Sequence, residues 1–183
     1  MTAKSTLELD DAIVLLLGAP SRVKRLRGRL EGVTRLEKLI FLLERETSAK
    51  DWLAETADFI PYNFGPFSAK VYQAVDMLSA AEIVSDSAEL SDNEEDSWER
   101  QYLIGGVIGG VDPYVTRDFE LTDRGWRYYR KLTEQLPRGA LDEIVALKDQ
   151  FATLPLRQLV RYVYQRYEKY TDQSLIRDDI LGS

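Results

Sequence analysis

The chain contains no cysteine and no histidine. Without cysteine there is no thiolate nucleophile, no disulfide and no sulfur-ligated metal. Without histidine there is no imidazole base and no ordinary zinc or iron centre. A Ser-His-Asp triad is therefore ruled out. What remains is acid–base work by Asp, Glu, Lys or Tyr, or Mg²⁺ or Ca²⁺ held by carboxylates, and no residue spacing along the chain supports either. No catalytic residue, metal ligand or cofactor is assigned, and a non-enzymatic protein is expected. No apolar run approaches the roughly 20 residues that a bilayer crossing needs. The opening MTAKSTLELDD lacks the basic start and apolar core of a signal peptide, so the expectation is a cytoplasmic protein with no membrane contact.

Cations are in the minority, with 24 Lys and Arg against 31 Asp and Glu, a net charge of −7 and a pI near 4.8. That balance argues against indiscriminate coating of nucleic acid and leaves room for a local basic face. With 183 residues, 44% hydrophobic and 30% charged, the chain has the length and composition for a small globular domain carrying a helical extension.

The stretch from Phe59 to Ile83, FIPYNFGPFSAKVYQAVDMLSAAEI, reads as the centre of the design. Gly65 and Pro66 break regular structure, and Ser68 is placed to cap a helix. Val71, Ala74, Val75 and Leu78 then recur at helical spacing, turning Lys70, Gln73 and Asp76 outward. Tyr62, Phe64 and Phe67 read as core or half-buried residues of the preceding turn.

Upstream, Leu7 to Gly18 is an apolar helix with acidic residues in its first turn. The next segment carries Arg22, Lys24, Arg25, Arg27 and Arg29, broken by Gly28 and Gly32. It reads as a solvated loop or as a phosphate-contacting patch. Thr34 and Glu37 have the spacing of a capping box. Leu36, Leu39, Ile40 and Leu43 then mark a core face, with Arg35, Lys38 and Arg45 at more exposed positions. Downstream, the acidic run from Asp86 to Glu99 reads as a solvated loop between strands, without the pattern of an EF-hand. The glycines at 105, 106, 109 and 110 read as a softened strand or hairpin, because no Lys and Ser or Thr follow them as a P-loop requires.

DFELTDRG, from Asp118 to Gly125, reads as a strand running into a helix capped by Thr122 or Asp123. Trp126, Tyr129 and Leu132 form its inner face, and Arg124, Arg127, Arg130 and Lys131 make its outer side basic. Pro137 and Gly139 mark a boundary. Beyond it come an amphipathic helix with Leu141, Ile144, Val145 and Phe151, and a second from Pro155 with a stripe of Leu156, Leu159, Val160, Val163, Tyr164 and Tyr167. A last short helix, capped by Thr171 or Asp172, runs to about Leu181. The stripe either covers the chain's own core or builds a homodimer.

Taken in order, GVTRLEKLIFLLERE, FIPYNFGPFSAKVYQAVDMLSAAEIV, FELTDRGWRYY and LPLRQLVRYVYQRYEKYTDQSLI resemble the YwgA-like group of small bacterial and archaeal proteins and, more distantly, the Panacea (SocA-like) domain. The resemblance spans about Gly32 to Ile180, apart from the acidic and Gly-rich region. It implies a winged-helix-like fold and a regulatory, non-catalytic role, exercised in Panacea proteins as an antitoxin that binds a toxin. Here Asn63-Phe64-Gly65 stands where a Tyr-Gly pair is usual, and Glu82 stands where a Gly often closes the helix.

The expectation is a mainly α protein with a small β wing (α+β). Residues 1–136 form a winged helix-turn-helix core, with its wing at about 83–121, and residues 137–183 form a C-terminal helical extension. The first functional reading is a DNA-binding transcriptional regulator with the Ser68 helix in the major groove. Lys70 and Gln73 would then face bases, while Arg22, Lys24, Arg25, Arg27, Arg29, Arg35, Lys38, Arg124, Arg127, Arg130 and Lys131 would contact phosphates. The alternative is a protein-interaction module, an antitoxin or phage-defence adaptor that holds a basic protein partner such as a toxin or defence effector.

Overall fold

Two helices, α1 (Leu9–Gly18) and α2 (Val33–Glu46), are buried on nearly every side at the centre of the computed structural model, which describes residues 7–62, 65–87, 118–172, 174 and 177–182. In α1 every residue from Asp11 to Gly18 is buried. In α2 the same holds from Val33 to Leu43, Arg35, Glu37 and Lys38 included. The fold is thus organised around α2, and the stretch from Phe59 to Ile83 packs against this centre. The exposure expected for Arg35 and Lys38 is corrected, because α2 is covered by the strands at Arg29–Glu31 and Gly65–Phe67, the short helix at Ala49–Trp52 and the C-terminal helices, and has one exposed end, at Arg45.

The start of α2 also differs from the expected capping box. Gly32 (φ +89°) precedes the helix and no side chain caps it. Thr34 sits buried in the first turn, and Glu37 is committed elsewhere: one oxygen accepts from the Lys38 ammonium at 2.9 Å and the other from the Ser68 N–H at 3.2 Å.

Three short antiparallel strands, β1 (Arg29–Glu31), β4 (Val84–Asp86) and β5 (Asp118–Leu121), form a sheet in the order β1-β5-β4. The strand at Arg29–Glu31 turns part of the expected basic loop into sheet. Leu30, Val84, Phe119 and Leu121 point inward and are buried. On the outer face Arg29 meets Asp118 at 3.5 Å. A second, two-stranded sheet pairs β2 (Ile60–Tyr62) with β3 (Gly65–Phe67), and α3 (Ala49–Trp52) precedes it. Tyr62 and Phe67 are half-buried, as the sequence predicts, with ring centroids 5.0 Å apart.

Helix α4 (Ala69–Ala80) starts as expected, with the Val71 N–H donating to the Ser68 hydroxyl at 3.2 Å, and it buries Val71, Ala74, Val75 and Leu78. Its end is a Schellman motif. Ile83 N–H donates to Leu78 O and Glu82 N–H to Ser79 O, with Glu82 in the left-handed region at φ +57°. Helix α5 (Asp123–Gln135) is capped by the Thr122 hydroxyl, which accepts from Gly125 N–H at 3.0 Å. Tyr129 and Leu132 are buried and Trp126 is half-buried.

The C-terminal part comprises α6 (Ala140–Leu147), a π-helical turn (Lys148–Ala152), α7 (Leu156–Arg166) and α8 (Arg177–Leu181). Leu156, Leu159, Val160, Val163 and Tyr164 are completely buried in the same core as α1 and α2, so the stripe is filled by this chain and offers no dimer seam. Ser174 lies outside any helix and the last helix is described over Arg177–Leu181, so a helix running directly on from a cap at Thr171 or Asp172 is not formed. Tyr167 and Tyr170 each meet Phe41 edge to face, at 4.9 and 5.0 Å.

The chain is mainly helical with a small antiparallel sheet, the α+β class that the sequence predicts. Among the described residues no helix is long and apolar enough to cross a membrane. Phe64, the acidic run beyond Ser87 and the glycines from 105 to 110 lie outside the described residues.

Candidate nucleic-acid interface

The two basic segments are far apart in sequence and adjacent in the fold. After α1 the chain turns through a single 3-10 turn, Lys24–Leu26. It reaches Gly28, whose N–H donates to Leu17 O at 3.0 Å and whose carbonyl accepts from Leu121 N–H at 2.8 Å. Gly28 adopts φ +75° and lies against the indole of Trp126, so closely that any β-carbon there would overlap the ring. Trp126 belongs to α5, so the turn rests on that helix. Arg130 lies one helical turn beyond Trp126, and Arg127, Lys131 and Arg124 carry the positive charge around the exposed side of α5.

Lys24, Arg25, Arg124, Arg127, Arg130 and Lys131 are exposed, and among the described residues none of them has a carboxylate within ion-pair distance. Arg22 is almost fully exposed, with its Nε 3.9 Å from Asp149. Arg27 is exposed and donates to Ser21 O at 3.1 Å. Half-exposed Arg29 is tied to Asp118, whose carboxyl is held above the usual range by burial and then by Glu31. Asp123 and Glu134 interrupt the basic side of α5. An open groove of about 650 Å³ beside it has mixed signs, with Arg124 and Arg127 facing Glu82, Asp86 and Asp123.

Two of the expected phosphate contacts are corrected. Lys38 is completely buried and donates to Glu37 and to the Pro66 carbonyl at 2.8 Å. Arg35 is buried, with Nε donating to Glu31 O at 3.1 Å and Nη1 donating to Leu154 O. Both head groups serve the interior, where they join α2 to strand β3 and to the turn before α7.

The exposed side of α4 has a different character. Lys70 is held between Asp58 at 2.8 Å and Glu55 at 3.2 Å, and it also donates to Thr56 O. The hydrogen bond to Asp58 is the main reason that the Lys70 pKa is raised and the Asp58 pKa lowered. Gln73 is exposed at a concavity of about 190 Å³ that it shares with Glu8, Asp10, Glu55 and Met77. Burial, and then Asp11, raise the Asp10 carboxyl above its ordinary value. Asp11 itself closes the first turn of α1, accepting from Glu8 N–H at 2.9 Å and from the Tyr128 hydroxyl.

The acidic concavity therefore sits at the N-terminus of α1 and the cationic turn at its C-terminus. Each sign is where the helix macrodipole favours it, at the two ends of a ten-residue helix about 15 Å long.

The residues that hold the cationic turn carry no signal in the sequence. Lys148, fully buried in the π-helical turn, donates to Leu17 O at 2.6 Å and Ala19 O at 2.9 Å, satisfying the last carbonyls of α1. Asp149 accepts from the Ser21 hydroxyl and the Arg22 N–H, both at 3.3 Å. These two residues lie near the end of an amphipathic run and look, in sequence, like solvated surface charges.

No protein-family model matches the chain, and no curated protein and no solved structure matches it.

Proposed function

We propose that the chain is a non-enzymatic regulatory protein with a winged-helix core that binds duplex DNA through the 22–29 turn and α5. The winged-helix reading is supported by the order of elements. A strand after the first helix pairs antiparallel with β5, which pairs antiparallel with β4, giving β1-β5-β4, and α2 and α4 are read as the second and third helices of such a module. Residues 49–68 are an insertion between those two helices, and the wing, at about 83–121, would include β4 and β5.

The observation that carries DNA binding is the packing of Gly28 on Trp126, which joins two basic segments into one surface on a protein whose net charge is negative. A local surface of this kind fits a polyanion with regularly spaced phosphates. Duplex DNA in a gel-shift titration at low salt is expected to give saturable binding that weakens steeply as salt rises. The double substitution Arg25→Glu and Arg27→Glu should abolish the shift, and wild-type protein giving no shift at low salt would sink the proposal.

A second reading, a protein-interaction module for a basic partner, is favoured by one specific feature. Met77 is 65% exposed, and it sits at the acidic concavity beside Glu8, Asp10 and Glu55. Under this reading Met77→Glu abolishes co-purification with the partner and leaves the DNA shift intact.

A further inference from the structure

We infer that the duplex is held by its phosphate backbone alone, on the turn and α5, and that α4 does not enter the groove to read bases. The inference rests on the DNA-binding reading and specifies how that contact is made. In helix-turn-helix proteins the N-terminal residues of the recognition helix approach the base edges. Here the insertion covers that end. Ser68 is buried at the helix start, its hydroxyl donating to Ala57 O, and residues 55–58 flank the first turn closely enough for two of their carboxylates to grip Lys70. The one cation of the helix is thereby held in ion pairs with two carboxylates.

What remains on the exposed side of α4 is one amide, Gln73, with Asp76 and Met77. Around it stand Glu8, Asp10 and Glu55 with Lys70, the cation that Glu55 and Asp58 already hold, so a phosphate strand laid along α4 would meet an excess of negative charge. A unit like-charge pair at 4 Å costs about 1 kcal/mol even in water. By contrast, Lys24, Arg25, Arg124, Arg127, Arg130 and Lys131, exposed and without a carboxylate partner among the described residues, lie on the turn and α5. Arginine and lysine on phosphates position a duplex and carry no sequence information by themselves. The interface is therefore local, salt-sensitive and indifferent to base sequence, and the net charge of −7 keeps the rest of the molecule off the duplex.

The experiment measures binding of the full chain to short duplexes of equal length and unrelated sequence, across a salt series. The expected ratio of affinities is near one, where base-reading proteins reach on the order of a thousandfold or more. Lys70→Ala with Gln73→Ala leaves affinity and salt slope unchanged. Arg127→Glu with Arg130→Glu lowers affinity at least about tenfold and reduces the salt slope by roughly 2, one unit for each phosphate no longer neutralised. Thermal unfolding of each variant separates weakened binding from loss of fold. Strong discrimination between duplexes that disappears in the Lys70/Gln73 variant overturns the inference while sparing the DNA-binding reading. Absence of binding to any duplex at low salt overturns both.

Discussion

Lys38 crosses from the middle of α2 to the carbonyl of Pro66, a buried hydrogen bond of 2.8 Å between residues 28 apart in sequence. Its neighbour Glu37 completes the clamp by accepting from Ser68 N–H. Burial pushes the Glu37 carboxyl above its ordinary pKa, more than the adjacent ammonium pulls it down. The pair therefore owes its place to the backbone groups it satisfies, Pro66 O in β3 and Ser68 N–H at the start of α4, since ionic attraction does not recover the cost of desolvation.

Lys38→Met should cost about 3–5 kcal/mol in urea unfolding, because it leaves the Glu37 carboxylate buried without a counter-charge. Adding Glu37→Gln should recover most of that loss, since the amide oxygen still accepts from Ser68 N–H. Equal destabilisation of the single and double variants would show that the two residues do not act as a unit.

The core face of α4, the Ser68 and Thr122 caps, and the inner and basic sides of α5 are all legible in the sequence, because each depends on local spacing or on the period of a half-buried helix. The burial of α2 is not. When a helix is covered all round, polar residues are buried with apolar ones, so Arg35 and Lys38 occupy positions that an amphipathic pattern assigns to solvent. Nor does spacing reveal that Glu37 bonds to a residue 31 positions later and not to the start of its own helix. The cationic surface is legible as two separate runs of Arg and Lys. Their union depends on Gly28 and Trp126, a contact that no local pattern encodes.

Lys148 gives a pH signature. Burial pushes its pKa down to about 7, against an ordinary value of 10.5, with Asp149 opposing the shift. Between these two values the unfolded chain binds more protons than the folded one, so this group makes stability rise with pH from about 7 to 10.5. The limiting slope is about 1.4 kcal/mol per pH unit. The two carbonyl hydrogen bonds and the negative end of α1 favour the ammonium and keep the slope below that limit. Urea unfolding of wild type against Lys148→Met over this range should show the rise in the wild type alone. Parallel profiles would refute it.

Glu82 occupies the left-handed position that ends α4, where an L side chain is disfavoured by roughly 1 kcal/mol. Glu82→Gly should therefore stabilise the protein by about 0.5–1 kcal/mol, or about 1–4 °C in Tm for a chain of this length. Duplex binding should hold or strengthen, because the substitution removes a carboxylate from the groove that Glu82 shares with Arg124 and Arg127. A lower Tm would mean that the Glu82 side chain makes a contact worth more than the strain.

Gly28→Ala tests how the cationic surface is assembled. The substitution meets two separate penalties, a positive φ that alanine tolerates poorly and overlap of its methyl group with the Trp126 indole. Together they should destabilise the protein by about 1–3 kcal/mol and weaken duplex binding, because the turn must lift off α5 to make room. In a Trp126→Ala background the second penalty is absent and the first persists. Alanine at position 28 should then cost less than in the wild type, with a coupling of about 0.5–3 kcal/mol between the two sites. Strict additivity would show that backbone strain alone accounts for the loss and that the indole does not set the position of the turn. Coupling that appears in stability and in duplex affinity together would tie the packing of one ring to the presentation of Lys24, Arg25 and Arg27.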